Sequence, residues 1–163
     1  MSEKNKNILI IVFGIAFLAG FIVYSVLNKV EEHDVKRVSN ASMFYTVEGC
    51  VNTYINALYN KNYDDVITLL DDKYEKKNDI TVNNVSDTLG KIPYTTFSAK
   101  KIYEEVENKN INRYYAYGKV MEDVMDGYSR GEDYYIIIEI NKDDYTFSVT
   151  PSSKSEFEVI ESE

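Results

Sequence analysis

The feature that most constrains this chain is an uncharged run of twenty residues, 8–27 (ILIIVFGIAFLAGFIVYSVL). At about 1.5 Å per residue, a helix of that length spans roughly 30 Å, the thickness of a bilayer's hydrocarbon core. A lone segment can satisfy its backbone there only as a helix. The run is longer than the roughly 7–15-residue apolar core of a cleavable signal peptide. No lipid-accepting cysteine follows Leu18-Ala19-Gly20. The pattern therefore predicts a retained transmembrane anchor over residues 8–28. Lys4 and Lys6 precede it, while Lys29, Lys36 and Arg37 follow it among Glu31, Glu32 and Asp34. Basic groups nearly balance across the segment. The short polar start favours an amino terminus in the cytoplasm and a single-pass protein with its bulk outside. Ala16 and Gly20 have the spacing of a weak helix-pairing signal.

Beyond the anchor, residues 29–163 hold 16 basic and 26 acidic side chains. A domain this acidic is a poor fit to duplex nucleic acid, and no nucleic-acid partner is expected. Residues 29–37 read as a charged stem, residues 38–150 as one domain, and residues 151–163 (PSSKSEFEVIESE) as an acidic, frayed tail.

The first part of the domain has helical periodicity. Phe44, Val47, Val51, Tyr54, Ile55 and Leu58 recur at steps of three and four. They predict a helix of about twenty residues starting near Ser39 or Asn40. Asn62 is a candidate N-cap for a second helix, with Asp64 and Asp65 in its first turn and Val66, Ile67, Leu70 and Tyr74 as its buried stripe. A third helix is expected over 82–89, capped by Thr81 and ended by Gly90.

After Pro93 the period changes to two. Strands are predicted over 97–106, 111–120, 134–140 and 145–149. The alternation of the first slips near Lys100, which predicts a bulge. Short connections such as Asn108-Lys109-Asn110 favour an antiparallel meander, with a longer loop over 122–133. The expected fold class is α+β: two or three helices packed on a curved four-stranded antiparallel meander.

An anchor, a helical stretch (MFYTVEGCVNTYINALYNKNYDDVITLLDDKY) and a meander (FSAKKIYEEVE, INRYYAYGKV, DYYIIIEI, YTFSVTP) resemble the nuclear transport factor two-like, cystatin-like α+β cone superfamily. The resemblance covers about residues 38–150 and rests on element order. It implies a helix-lined concave sheet, sometimes with a pocket. Its membrane-anchored bacterial members include periplasmic assembly subunits of type IV secretion and conjugation machines. The chain is also similar to uncharacterised anchored proteins of low-GC Gram-positive bacteria. No catalytic residue transfers, because no catalytic motif matches.

The residues themselves offer little catalytic chemistry. A Cys/His zinc site or a disulfide framework needs more than Cys50 and His33, the chain's one cysteine and one histidine. Cys50 falls on the apolar side of the first predicted helix and reads as a core thiol. His33 falls in the charged stem, far from a nucleophile. The run over 126–133 (DGYSRGED) departs from a calcium loop where Tyr128 and Arg130 replace oxygen ligands. Neither metal nor cofactor is expected.

The strand over 111–120 holds the one binding signal. Arg113, Tyr115, Tyr117 and Lys119 share one face, and Asn112, Tyr114, Ala116, Gly118 and Val120 share the other. The small Ala116 and Gly118 suit a helix packed on their side. Two tyrosines between two cations would then face outward as a candidate binding surface. A cross-strand packing ladder is the competing account. The function these features suggest is a non-enzymatic, membrane-anchored interaction or assembly module, with a protein partner or a homo-oligomer. The alternatives are a small-molecule or cell-wall-glycan sensing domain and, further off, an enzyme of the same fold.

Overall fold

The computed structural model describes residues 35–90, 93–105, 110–122 and 131–162. The anchor over 8–28, His33, and most of the stem and of the 126–133 loop lie outside these residues. Among the described residues no helix is long and apolar enough to cross a membrane.

The domain is α+β, with a five-stranded antiparallel sheet in simple meander order. The strands are β1 (Val35–Arg37), β2 (Thr96–Glu105), β3 (Ile111–Met121), β4 (Gly131–Asn141) and β5 (Phe147–Pro151). Four strands were expected. The additional one, β1, comes from the charged stem and pairs with the end of β2, Lys36 opposite Glu104. Three residues in a charged segment show no periodicity, so only the pairing reveals them as a strand.

Among the described residues, five helices accompany the sheet: α1 (Ala41–Tyr59), α2 (Tyr63–Leu69), α3 (Asp72–Lys77), α4 (Val85–Thr88) and α5 (Lys154–Ser162). Helix α1 follows its sequence pattern. Asn40 caps it by accepting a hydrogen bond from the Met43 amide, and Val47, Val51, Tyr54, Ile55 and Leu58 are buried. These side chains meet Tyr114, Ala116, Val120, Ile136, Ile138, Ile140 and Val149 of the sheet in the main core.

The second predicted helix is two helices. Leu70 takes an extended conformation, ψ 147°, between them. It bridges Val149 in parallel, and the Asp71 amide donates to the Val149 carbonyl at 2.9 Å. The break thus covers the outer edge of β5, an edge that would otherwise invite another strand. Asp71 then caps α3, accepting from the Lys73 and Tyr74 amides. Asn62 makes no side-chain cap; its side-chain Nδ2 instead donates to Asp65 Oδ2. The third predicted helix shrinks to the four-residue α4. Thr81 does not cap it by its side chain; its amide donates to Asn84 Oδ1. Gly90 follows at φ 78°, a left-handed stop suited to glycine.

The predicted bulge is present in β2, between Ala99 and Lys101. It resets the pleat, so Phe97 and Ile102, five positions apart, both reach the main core. Opposite Ala99 lies Gly118. Its role differs from the expected helix contact: a Cβ there would meet the Phe97 ring at 2.7 Å and the Ser98 carbonyl oxygen. The glycine accommodates the neighbouring strand's ring and backbone.

The largest departure is at the end of the described chain. Residues 154–162, read as part of a frayed tail, form α5. Ser153 opens it in a capping box, with Glu156 accepting from the Ser153 amide and Ser153 Oγ accepting from the Glu156 amide. Phe157 and Ile160 are buried against Tyr115, Tyr117, Tyr135 and Ile137 on the sheet face opposite α1.

Candidate functional site

Strand alternation places Arg113, Tyr115, Tyr117 and Lys119 on one face of β3, with α1 on the other, as the pattern of β3 implies. The structure then gives the four different surroundings. Arg113 sits between Glu105 of β2 and Glu139 of β4, its register partners. Its Nε donates to Glu139 at 2.7 Å and its Nη1 to Glu105 at 3.2 Å. The guanidinium is engaged in a cross-strand ion pair on both sides, a structural use of the charge.

Tyr115 is only 8% exposed because Phe157 and Ile160 lie over it. Its hydroxyl donates to Glu105 at 3.1 Å. Burial, reinforced by the Glu105 charge, pushes this phenol up to about 12. Tyr115 thus belongs to a second small core, and the cross-strand ladder account describes it.

Tyr117 is different. It faces Tyr135 directly across the sheet. The rings stack at 4.9 Å with an interplanar angle of 15°. Phe157 flanks both, at 5.7 and 5.6 Å. Both tyrosines stay half-buried beside α5. The Tyr117 hydroxyl donates to Asp133 at 3.2 Å. Desolvation and the Asp133 charge raise its titration, so it is a neutral donor at ordinary pH.

Cations surround this pair. The bulge turns Lys100 toward the same face, with Nζ 5.6 Å from the Tyr117 ring centroid. Lys101, opposite Tyr117, forms an ion pair with Glu161 of α5. Lys154, at the start of α5, pairs with Glu158 at 3.4 Å and acts electrostatically on both tyrosines. Lys119 lies one step further along β3, opposite Asp133.

The candidate surface is therefore Tyr117, Tyr135, Lys100, Lys119 and Lys154. Two of its members, Tyr117 and Lys119, were legible on β3. Tyr135 is one of several aromatics and aliphatics in the β4 run, and only the register selects it. Lys100 needed the bulge's exact position, and Lys154 needed the tail to be a helix.

Other chemistry-bearing groups sit elsewhere. Cys50 is half-buried at the core margin, and burial pushes its thiol up to about 11, away from nucleophilic use at neutral pH. Among the described residues no three His, Cys, Asp or Glu side chains are arranged to hold a metal ion. The space between α1 and the sheet is packed with Tyr54, Phe97, Tyr114 and Ile136, all essentially buried. Grooves open instead on the surface. One of about 500 Å³ lies between α1 and α2, and another of about 620 Å³ lies between α2 and the β4–β5 hairpin.

No family model matches this chain, and neither does any curated protein or solved structure.

Proposed function

We propose that this chain is a single-pass membrane protein whose α+β domain lies outside the cytoplasm and binds a protein partner or further copies of itself, without catalysing a reaction. The observation that supports it best is the stacked Tyr117–Tyr135 pair with Lys100, Lys119 and Lys154 around it. Tyrosine supplies area and a polar handle at low entropic cost, which is why it recurs in protein interfaces. The local cations stand out on a chain of net charge −9. They favour a partner that presents acidic side chains beside an apolar or aromatic one.

The membrane assignment rests on the uncharged run over 8–27. The nuclear transport factor two-like reading rests on helices followed by a meander, and it would place the domain among anchored envelope-assembly proteins. The non-enzymatic reading rests on the surroundings of the reactive groups. The Cys50 thiol and the Tyr115 and Tyr117 phenols are all raised by desolvation, and so are protonated at neutral pH.

The test is photo-crosslinking in intact cells, followed by mass spectrometry. A photoreactive residue at exposed position 100 should capture a discrete protein adduct. The same probe at exposed position 143, on the β4–β5 hairpin, should not. Tyr117→Ala should abolish the adduct at 100. Equal capture at both positions, or none at 100, refutes the proposal.

A further inference from the structure

We propose that a separate part of the domain binds a neutral oligosaccharide, in a trough running from the second half of α1, across α2, to the β4–β5 hairpin. The two surface grooves of about 500 and 620 Å³ meet there, sharing Thr68 and Leu69 as lining residues. Each has the volume of an ordinary ligand site, and end to end they suit a chain of several sugar units.

The lining chemistry selects the ligand. Charged residues make up 28% of the sequence. Yet Asp65 and Glu139 are the only charged members of the trough's described lining. Both have partners, Asn62 for Asp65 and Arg113 for Glu139. The remaining polar lining consists of amides and hydroxyls, among them Asn56, Asn60, Thr53, Asn141 and Ser148. Ala57, Leu69 and Phe147 add apolar surface. Uncharged groups that both donate and accept match a ligand rich in hydroxyls and without net charge. An anionic ligand would find no cation in the described lining.

Tyr145 supplies the aromatic element. It lines the second groove and is 79% exposed, the most exposed of the large apolar side chains among the described residues. Its backbone is left-handed, φ 60°, which is uncommon for a bulky residue. The hairpin holds it there. The Tyr145 amide donates to the Asn141 carbonyl at 3.1 Å, and the Asp144 carboxylate accepts from the Thr146 amide and hydroxyl at 3.0 and 2.7 Å. The ring thus stands on a hydrogen-bonded turn, and a sugar's C–H face can lie on it while its hydroxyls meet the amides. An extended peptide fits less well, because the outer edge of β5 already bonds Leu70 and Asp71. A nucleic acid would meet an acidic protein.

The experiment uses the full chain in a detergent without a sugar headgroup. Calorimetric titration compares N-acetylglucosamine oligomers, glucose oligomers and, as a charged control, galacturonate oligomers. Saturable binding of a neutral oligomer is expected, with little of the charged one. Tyr145→Gly removes the ring yet suits the left-handed backbone, so the fold is kept. It should weaken binding about tenfold, the scale of one lost aromatic contact. Thr68→Lys, which places a long side chain where the grooves meet, should weaken it further. Absence of saturable binding by either neutral oligomer, equal binding of the galacturonate, or unchanged affinity in both variants overturns the proposal. Neither variant touches the Tyr117 surface, so crosslinking at position 100 should persist, and the two proposals can fail separately.

Discussion

Replacing Phe157 by Ala tests how α5 is held. Phe157 is 4% exposed, and its ring lies 5.6–5.7 Å from those of Tyr103, Tyr117 and Tyr135. Returning that side chain to water forfeits about 1.5–3 kcal/mol of burial. Losing the ring contacts adds roughly 0.5–1.5 kcal/mol. A core Phe→Ala that leaves a cavity costs about 3–5 kcal/mol. Here α5 can lift away and leave no cavity, so the sum of the first two terms, about 2–4.5 kcal/mol, is the relevant one. An isolated helix of nine residues is marginal in water. The loss should therefore appear as local release of α5, with the main core around α1 left intact. A weakening of about 3 kcal/mol raises local opening by roughly 100-fold. Hydrogen exchange followed by mass spectrometry measures this directly. The α5 amides should exchange about 100-fold faster, while those of α1 and β3 change little. The chain has no Trp, so the fluorescence of the uncovered tyrosines gives a second signal. Unchanged α5 protection would refute the docking argument. Equal acceleration of α5 and α1 would refute the claim that α5 opens separately.

Gly118→Ala should destabilise the domain by at least about 1–3 kcal/mol in a chemical melt, because its Cβ meets the Phe97 ring and the Ser98 backbone, which cannot swing aside. Asn52→Ala should cost about 1–3 kcal/mol. The Asn52 amide donates to the Phe97 carbonyl at 2.9 Å and accepts from the Phe97 amide at 2.8 Å, standing in for a missing strand at the edge of β2. Thermal melts should show stability falling as pH rises above about 9. Burial lifts Cys50 from 9.0 to about 11 and Tyr115 from 10.0 to about 12, so the unfolded chain loses those protons first. The stabilising difference is complete below the unfolded values and is lost progressively through the folded ones. A flat profile between pH 8 and 11 would contradict this. By the same cause, alkylation of Cys50 at pH 8 should be much slower in the folded protein than in urea.

What could be read from the sequence was what depends on local order. The three- and four-residue spacing of Val47, Val51, Tyr54, Ile55 and Leu58 identifies α1 and its buried face, because a helix must bury such a stripe. The change to a two-residue period identifies β2, β3 and β4, and the slip near Lys100 locates the bulge. The two faces of β3 follow from the same period, so Tyr117 and Lys119 were visible as candidates. Tertiary structure decided everything that depends on a distant partner. Strand β1 exists because three stem residues meet the end of β2. The helix expected to continue through Leu70 breaks because that backbone pairs with Val149, seventy-nine positions away in the chain. Tyr115 and Tyr117, two residues apart on the same face, differ in exposure because of where α5 lies. The stack of Tyr117 on Tyr135 is a matter of register. Periodicity reports which face a side chain occupies; which distant element covers that face is set by the packing of the whole domain.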